Sequence, residues 1–213
     1  LIDQRENIST KELQLPPEQV AMKYANQCKP VIENIKPSRV PEKMQLTGKQ
    51  YGTGDGSFKY DGQKNNRQKL IIGMVAEMIV YEKLQEDQNI ENVKWVSRYA
   101  ARVEPAYSGY NPHGTDGLGY DIEYTDRTGN KNFVEVKGKA DNQNCFEITI
   151  PEIEKAKQEK KFYHIIFVTN TLNEELRRIK YLGNLFMFEE GEDLLNNKRF
   201  SAVTKSYEIR FKE

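Results

Sequence analysis

Three residues in the middle of the chain have the types and the spacing needed to hold a metal ion and to cleave a phosphodiester bond. Asp121 lies in one run of alternating residues, and Glu135 and Lys137 lie in the next run. If the two runs form a hairpin centred on Thr128, Asp121 and Glu135 stand directly opposite each other, with Cβ atoms roughly 4.5–5.5 Å apart. Two carboxylates at that distance repel each other unless a cation lies between them. Such an oxygen-rich site suits Mg²⁺ or Mn²⁺.

Lys137 supplies the positive charge that the same chemistry requires. Residues i and i+2 of a strand share a face, so Lys137 should lie beside Glu135. From there its side chain can orient or help to deprotonate an attacking water, and it can balance charge on a phosphate. A metal ion lowers the pKa of the water and neutralises the charge that develops at phosphorus. The two acids and the lysine therefore predict phosphodiester hydrolysis.

Glu77 is a fourth candidate. It is the only charged residue between Leu70 and Tyr81, in a run that predicts a helix. Its carboxylate should either extend to solvent at the helix edge or face a polar site. Gly73, about one turn earlier, would allow the helix to approach a sheet closely.

These side chains need a sheet and flanking helices to bring them together. Period-two alternation predicts strands at 120–125, 132–137 and 145–150. The apolar run from Leu70 predicts a helix to about Gln85. Thr149 and Glu152 form a capping box, which predicts a helix to about Lys161. The other predicted strands are short or largely apolar, and they lie at 95–96, 163–168, 185–188 and 207–211. This order predicts an α/β fold of the α+β type, with a mixed central sheet flanked by helices.

Residues 1–66 differ in composition from the rest of the chain. A short helix is expected from Pro16 to about Cys28, and the segment Thr47–Gly62 holds five glycines. We therefore expect two regions: an N-terminal helix with a flexible linker at 1–66, as in the tail of a larger protein, and a catalytic domain at 67–213. The start at Leu1 rather than at a methionine supports the expectation of a longer parent protein.

The overall composition restricts the partners. Lys and Arg number 32, as do Asp and Glu, so the net charge is zero and nucleic acid would have to be bound by local patches or with another domain. Two cysteines without a CxxC pair disfavour a disulfide framework and a zinc site, and they favour a cytoplasmic, intracellular location. No apolar run reaches the roughly 18 residues of a membrane span, so no membrane partner is expected.

The residues named above resemble a known superfamily. Residues 119–121, followed by residues 133–138, resemble the PD-(D/E)XK nuclease motif, with Tyr120 in place of the proline. The helix around Glu77 resembles the first helix of that superfamily. More closely, the segments between about Gln68 and Asn170 resemble the protein NO VEIN C-terminal family. Its members often end larger proteins, including helicases and histidine-kinase-type ATPases.

The resemblance implies a restriction-endonuclease-like core and a role for each site residue. Asp121 and Glu135 would be metal ligands with the Val136 carbonyl as a third, Lys137 the catalytic cation, and Glu77 an outer ligand or a base-orienting group. It also implies a Mg²⁺-dependent endonuclease, with Mn²⁺ as a substitute. The expected substrate is DNA, with RNA left open. The expected partners are other domains or subunits, such as a helicase or ATPase of a larger defence or DNA-processing protein, or a second copy of the chain.

Less specific interpretations stand beside this one. Glu and Lys alternate on many exposed strands, so the alternative is a non-catalytic nucleic-acid-binding or protein-interaction module on the same fold. Glu152 is most simply a helix cap, and Glu123 a solvated neighbour of Asp121. His164, entering a buried strand, is expected to be structural.

Overall fold

The computed structural model describes residues 8–26, 31–33, 62–103 and 116–187. In these ranges four α-helices are present: α1 (Pro17–Ala25), α2 (Gly62–Glu86), α3 (Ala100–Val103) and α4 (Ile150–Glu159). The same ranges contain six strands: β1 (Val31–Glu33), β2 (Ile90–Trp95), β3 (Ile122–Asp126), β4 (Lys131–Gly138), β5 (Tyr163–Thr169) and β6 (Arg178–Gly183). They form one mixed sheet in the order β1-β6-β5-β4-β3-β2.

The connections confirm the predicted fold class. Strands β2, β3 and β4 are antiparallel neighbours, whereas β4 and β5 are parallel and need the crossover helix α4. The order α2, β2, β3, β4, α4, β5 follows the predicted one except that the strand predicted at 145–150, before α4, is missing. The domain is therefore α+β with a mixed sheet flanked by helices, consistent with a restriction-endonuclease-like core.

The predicted register of the β3–β4 hairpin is confirmed from Ile122 to the turn. Ile122 pairs with Val134, and the pairing continues to the turn at Thr128. Asp126 closes this turn, because its Oδ1 accepts hydrogen bonds from the backbone N–H groups of Thr128 and Asn130, at 2.9 and 3.0 Å. The short polar turn therefore determines which residues of β3 and β4 face each other.

The alternation along β4 divides the core into two layers. Val134 and Val136 pack with α2, whereas Phe133 packs with Ala156 of α4. Glu135 and Lys137 have the same parity as Phe133, so they lie on the α4 side.

The close approach between α2 and the sheet occurs at Gly138. A Cβ atom there would lie 2.9 Å from Cβ of Ala76 and 3.0 Å from the carbonyl of Ile72. At Gly73 an added Cβ would make only an ordinary contact of 3.4 Å with Tyr99. The helix therefore meets the sheet at the end of β4, and the expectation for Gly73 is wrong.

Two predicted strands are absent where the structure describes them. Residues 144–149 have no regular secondary structure, although Phe146 and Ile148 pack on the α4-side core. The alternating apolar side chains are thus accommodated by packing on the core, and the backbone does not pair with another strand. Residues 185–186 form a turn, residue 188 lies outside the described residues, and the sequence missed β6. The predicted strand at 207–211 and the linker residues 47–61 also lie outside them.

The N-terminal helix is present, and its apolar side chains pack against α2. Five side chains of this region lie in the same core cluster as α2: Ile8, Leu13, Val20, Ala21 and Ala25. Arg177, which is buried, donates from Nη2 to the Tyr24 carbonyl at 2.9 Å. The described part of the segment 1–66 thus contributes to the core, which the sequence analysis did not foresee. The division of the chain at residue 66 stays a prediction.

None of the helices in the described ranges is long and apolar enough to cross a membrane.

A pair of substitutions on α1 measures how far this segment belongs to the folding unit. Val20 is 1% exposed and Met22 is 37% exposed. We expect Val20→Ala to lower the free energy of unfolding by about 1–3 kcal/mol, because it removes buried methyl groups. Met22→Ala, the matched control, should change it by about 0.5 kcal/mol or less. Chemical denaturation followed by core fluorescence at Trp95 provides the measurement, and equal curves would mean that α1 folds apart from the core.

Candidate active site

Asp121 is held at the entry to β3 by its backbone and its side chain. Its N–H donates to the Val134 carbonyl at 2.9 Å, and its own carbonyl accepts from the N–H groups of Val96 and Ser97. Its Oδ2 accepts a hydrogen bond of 2.8 Å from the backbone N–H of Val136. The carboxylate is therefore fixed against β4, immediately beside Glu135.

Glu135 is buried on β4, with 5% of its surface exposed. The paired register ends at Ile122 and Val134, so Asp121 and Glu135 lie one residue beyond it at the same end of the hairpin. Burial and the charge of Asp121 raise the pKa of Glu135 well above its usual range, against the opposing effect of Lys137. Two of the predicted ligands thus lie close enough to influence each other's ionisation.

Asp121 experiences the same kind of environment. Burial raises the pKa of its carboxyl group well above the usual range, and the charge of Glu77 raises it further. The hydrogen bond from Val136 and the charge of Lys137 lower it by less. The ionised forms of these carboxylates are consequently unfavourable without additional positive charge.

Glu77 faces the interior, so the alternative in which it extends to solvent is wrong. Only 4% of the surface of Glu77 is exposed. Its Oε2 accepts hydrogen bonds from Nε1 of Trp95, at 2.7 Å, and from Oγ of Ser97. Because the Ser97 backbone also contacts Asp121, this arrangement fixes Glu77 close to the acid pair. The sequence pattern predicted only a short strand at 95–96, so this contact was not foreseen.

Lys137 bridges two carboxylates. Its Nζ lies 2.7 Å from Oε1 of Glu135 and 2.7 Å from Oε2 of Glu152. Burial alone would lower the pKa of Lys137, but Glu135 and Glu152 together raise it above its usual value. Lys137 is therefore an ammonium ion at neutral pH.

Glu152 has a second role that the sequence analysis missed. The predicted capping box with Thr149 is present, and Oε2 of Glu152 accepts from the Thr149 N–H at 3.0 Å. The same oxygen receives the hydrogen bond from Lys137. A possible signal was the position of Glu152 in the first turn of a helix that must cross the sheet next to β4.

Gly119 brings the start of α4 close to Asp121. Its φ is +73°, and a Cβ atom there would lie 2.6 Å from the Pro151 carbonyl. Its own carbonyl accepts a hydrogen bond of 3.0 Å from the Tyr163 hydroxyl. Only glycine combines this backbone conformation with so close a contact.

Two other polar residues have structural partners. Glu123 is buried rather than solvated, and its Oε2 lies 2.7 Å from Lys131 Nζ and accepts from the Tyr120 hydroxyl at 2.9 Å. Nε2 of His164 lies 3.0 Å from Asn132 Oδ1, in agreement with its expected structural role.

The donor set fits a hard divalent cation. Lys137 lies between Glu135 and Glu152, and Asp121 is close enough to Glu77, Glu135 and Glu152 for their charges to interact. Within the described residues, no three His, Cys, Asp or Glu side chains are grouped as a preformed metal cage. Mg²⁺ does not require such a cage, because it usually keeps several waters and binds one or two carboxylates. The Val136 carbonyl stays a predicted third ligand.

Fold and site together define an α+β domain with a buried acidic centre at the end of a hairpin. The family model described as "Protein NO VEIN, C-terminal" matches residues 76–182, slightly more than half of the chain. The chain therefore belongs to the protein NO VEIN C-terminal family. Searches of curated proteins and of solved structures gave no significant match. The matched range begins beside Glu77 and includes every site residue described above.

The raised pKa of Asp121 predicts that its charge opposes folding. Above the ordinary carboxyl pKa of about 4, the unfolded state loses its proton first, so stability falls as pH rises towards the raised folded pKa. We expect Asp121→Asn to raise the melting temperature at pH 7 in EDTA, and the gain should disappear below about pH 4.

Asp126→Asn is the matched control with the opposite sign. Hydrogen bonds from Thr128 and Asn130 lower the pKa of Asp126, so its ionised form stabilises the fold above the ordinary carboxyl pKa. This variant should therefore melt at a lower temperature at pH 7. A fall in melting temperature for Asp121→Asn would contradict the assigned electrostatics.

Proposed function

We propose that this domain is a metal-dependent nuclease that hydrolyses phosphodiester bonds in DNA. The observation that carries the proposal is the convergence of Asp121, Glu135 and Lys137 at the end of the β3–β4 hairpin. The two carboxyl groups lie at the same end of the hairpin, close enough for the charge of Asp121 to act on Glu135, and the ammonium group lies 2.7 Å from Glu135. These are the acid pair and the cation that the reaction requires.

The role of each residue follows from its contacts. Asp121 and Glu135 would hold Mg²⁺ or Mn²⁺, with the Val136 carbonyl as a third ligand. The bound ion would lower the pKa of the attacking water and offset charge on the phosphate. Since Lys137 is held in its charged form, it would act by orienting the water and stabilising the phosphate charge rather than as a base. Glu77, fixed by Trp95 and Ser97, would orient groups around Asp121.

Membership of the family supports a module of a larger protein. We propose that the domain works next to a helicase or ATPase partner in defence or DNA processing. The zero net charge supports this dependence, because the domain lacks the excess of basic residues that would hold DNA by bulk charge. RNA as substrate and a second copy of the chain as partner are further possibilities that the same experiments address.

The second candidate is a non-catalytic nucleic-acid-binding or interaction module. The observation that favours it is the double pairing of Lys137 with Glu135 and Glu152, since a structural ion network has the same geometry. Metal binding and cleavage separate the two candidates.

Metal binding is predicted to depend on Asp121. Calorimetry should detect Mn²⁺ binding to the wild-type chain and none to Asp121→Ala, because one of the two neighbouring carboxylates is lost. Glu123→Ala is the matched control: it removes a carboxylate from the same strand, but one that is paired with Lys131. Equal Mn²⁺ binding by wild type and Asp121→Ala would contradict the assigned site.

Cleavage is predicted to depend on Lys137. At saturating Mn²⁺, Lys137→Met should lower the rate of DNA cleavage roughly 10²–10³-fold, because a preorganised positive charge is lost while the side-chain stem is kept. Rates are measured on supercoiled, linear and single-stranded DNA and on RNA, with EDTA as the blank and melting temperatures alongside.

Lys131→Met is the control for this measurement, because Lys131 lies on the same strand and is paired with Glu123. It should cleave at nearly the wild-type rate. Wild-type cleavage that survives Lys137→Met would refute the mechanism. A wild type that binds Mn²⁺ but cleaves none of these substrates would favour the non-catalytic module.

A further inference from the structure

Glu152 connects Lys137 to the first turn of α4. Its Oε2 accepts two hydrogen bonds, one from Lys137 Nζ at 2.7 Å and one from the Thr149 backbone N–H at 3.0 Å. Thr149 is the residue that caps α4, so the oxygen is tied to the helix backbone as well as to the lysine. The Glu152 side chain is only 15% exposed, as is that of Lys137. This anchor is rigid compared with an ion pair between two extended surface side chains.

The carboxylate of Glu135 would have to interact with both Lys137 and the metal ion. Its Oε1 lies 2.7 Å from Lys137, yet as a metal ligand it must direct a lone pair towards the cation. When it does so, Lys137 depends on its other carboxylate partner. A mostly buried ammonium that loses its compensation is strongly unfavourable, and it would leave its position or hold Glu135 back.

We propose that Glu152 is a positioning residue that retains the Lys137 ammonium in the site while Glu135 exchanges Lys137 for the metal ion. The inference rests on the proposed function, since it gives Glu135 the ligand role. The exchange moves no proton and breaks no covalent bond. The close contact of Gly119 with Pro151 keeps Glu152 at a fixed distance from the segment that carries Asp121.

The decisive variant is Glu152→Gln in the full chain. A capping box accepts glutamine in place of glutamate, so the side-chain oxygen can still receive the Thr149 N–H while the charge on Lys137 is no longer balanced. Lys137 would then pair with Glu135 alone, and Mn²⁺ would have to displace it. We expect the dissociation constant for Mn²⁺, measured by calorimetry, to rise on the order of tenfold, within the range of coupling between contacting residues.

A double-mutant cycle with Lys137→Met separates positioning from a simple loss of charge. In the Lys137→Met background no ammonium competes for Glu135, so adding Glu152→Gln should change Mn²⁺ affinity by about twofold or less, a small long-range effect. Glu152→Asp, which keeps the charge on a shorter side chain, should restore part of the affinity. It also serves as the second variant if Glu152→Gln folds poorly.

The matched control on the same helix is Glu159→Gln. Glu159 pairs with Lys155 at 2.6 Å, and it lies about 10 Å further along the helix axis. Removing this charge should leave Mn²⁺ affinity unchanged. Melting temperatures of all variants report whether the capping box has survived.

The outcomes separate this inference from the proposed function. An equal effect of Glu152→Gln with and without Lys137 would overturn the positioning role while leaving the metal site intact. A wild-type chain that binds no Mn²⁺ would overturn both. Coupled Mn²⁺ affinities in a chain that cleaves no nucleic acid would support the positioning role and refute the nuclease.

Discussion

The interaction on which the site depends is the repulsion between Asp121 and the nearby carboxylates of Glu77, Glu135 and Glu152, which the Lys137 ammonium group offsets only in part. Asp121 and Glu135 are brought together by the hairpin, Glu77 by α2 and Glu152 by α4. In a partly buried position these charges are weakly screened, so each additional carboxylate raises the pKa of its neighbours. The surrounding elements must therefore supply the packing energy that keeps them there.

The two sides of the sheet contribute differently to the packing that holds the carboxylates together. The α2 side provides the larger apolar core, and Gly138 lets α2 approach the end of β4. The α4 side provides a smaller core, where Gly119 brings the start of the helix against the segment leading to Asp121. The Asp126 turn determines the hairpin register as far as Ile122, and backbone contacts with Val96, Ser97 and Val136 hold Asp121 beyond it. Site geometry thus depends on one local turn, these backbone contacts and two close helix contacts.

The same division explains what the sequence could predict. The hairpin register followed from strand periodicity and turn position, which are local properties, and the capping box was equally local. The contact of Trp95 with Glu77 depends on how α2 crosses the sheet, and periodicity identifies a face but not the partner opposite it. The alternation at 145–150 wrongly predicted a strand for a related reason. The side chain of Phe146 packs on the smaller core although its backbone forms no strand.

The charge balance bears on the choice between a catalytic site and a structural ion network. A buried network contributes to stability only when its charges are well compensated, and removing one partner from such a network is costly. The charge of Lys137 is balanced by Glu135 and Glu152, whereas the charge of Asp121 has no comparable partner among the described residues. The raised pKa of Asp121 means that the ionised form of this residue lowers the stability of the fold. Natural proteins retain destabilising charge of this kind mainly where function needs it. The imbalance at Asp121, beside the buried carboxyl group of Glu135, thus supports the proposed cation-binding site more than the ion pairs of Lys137 do.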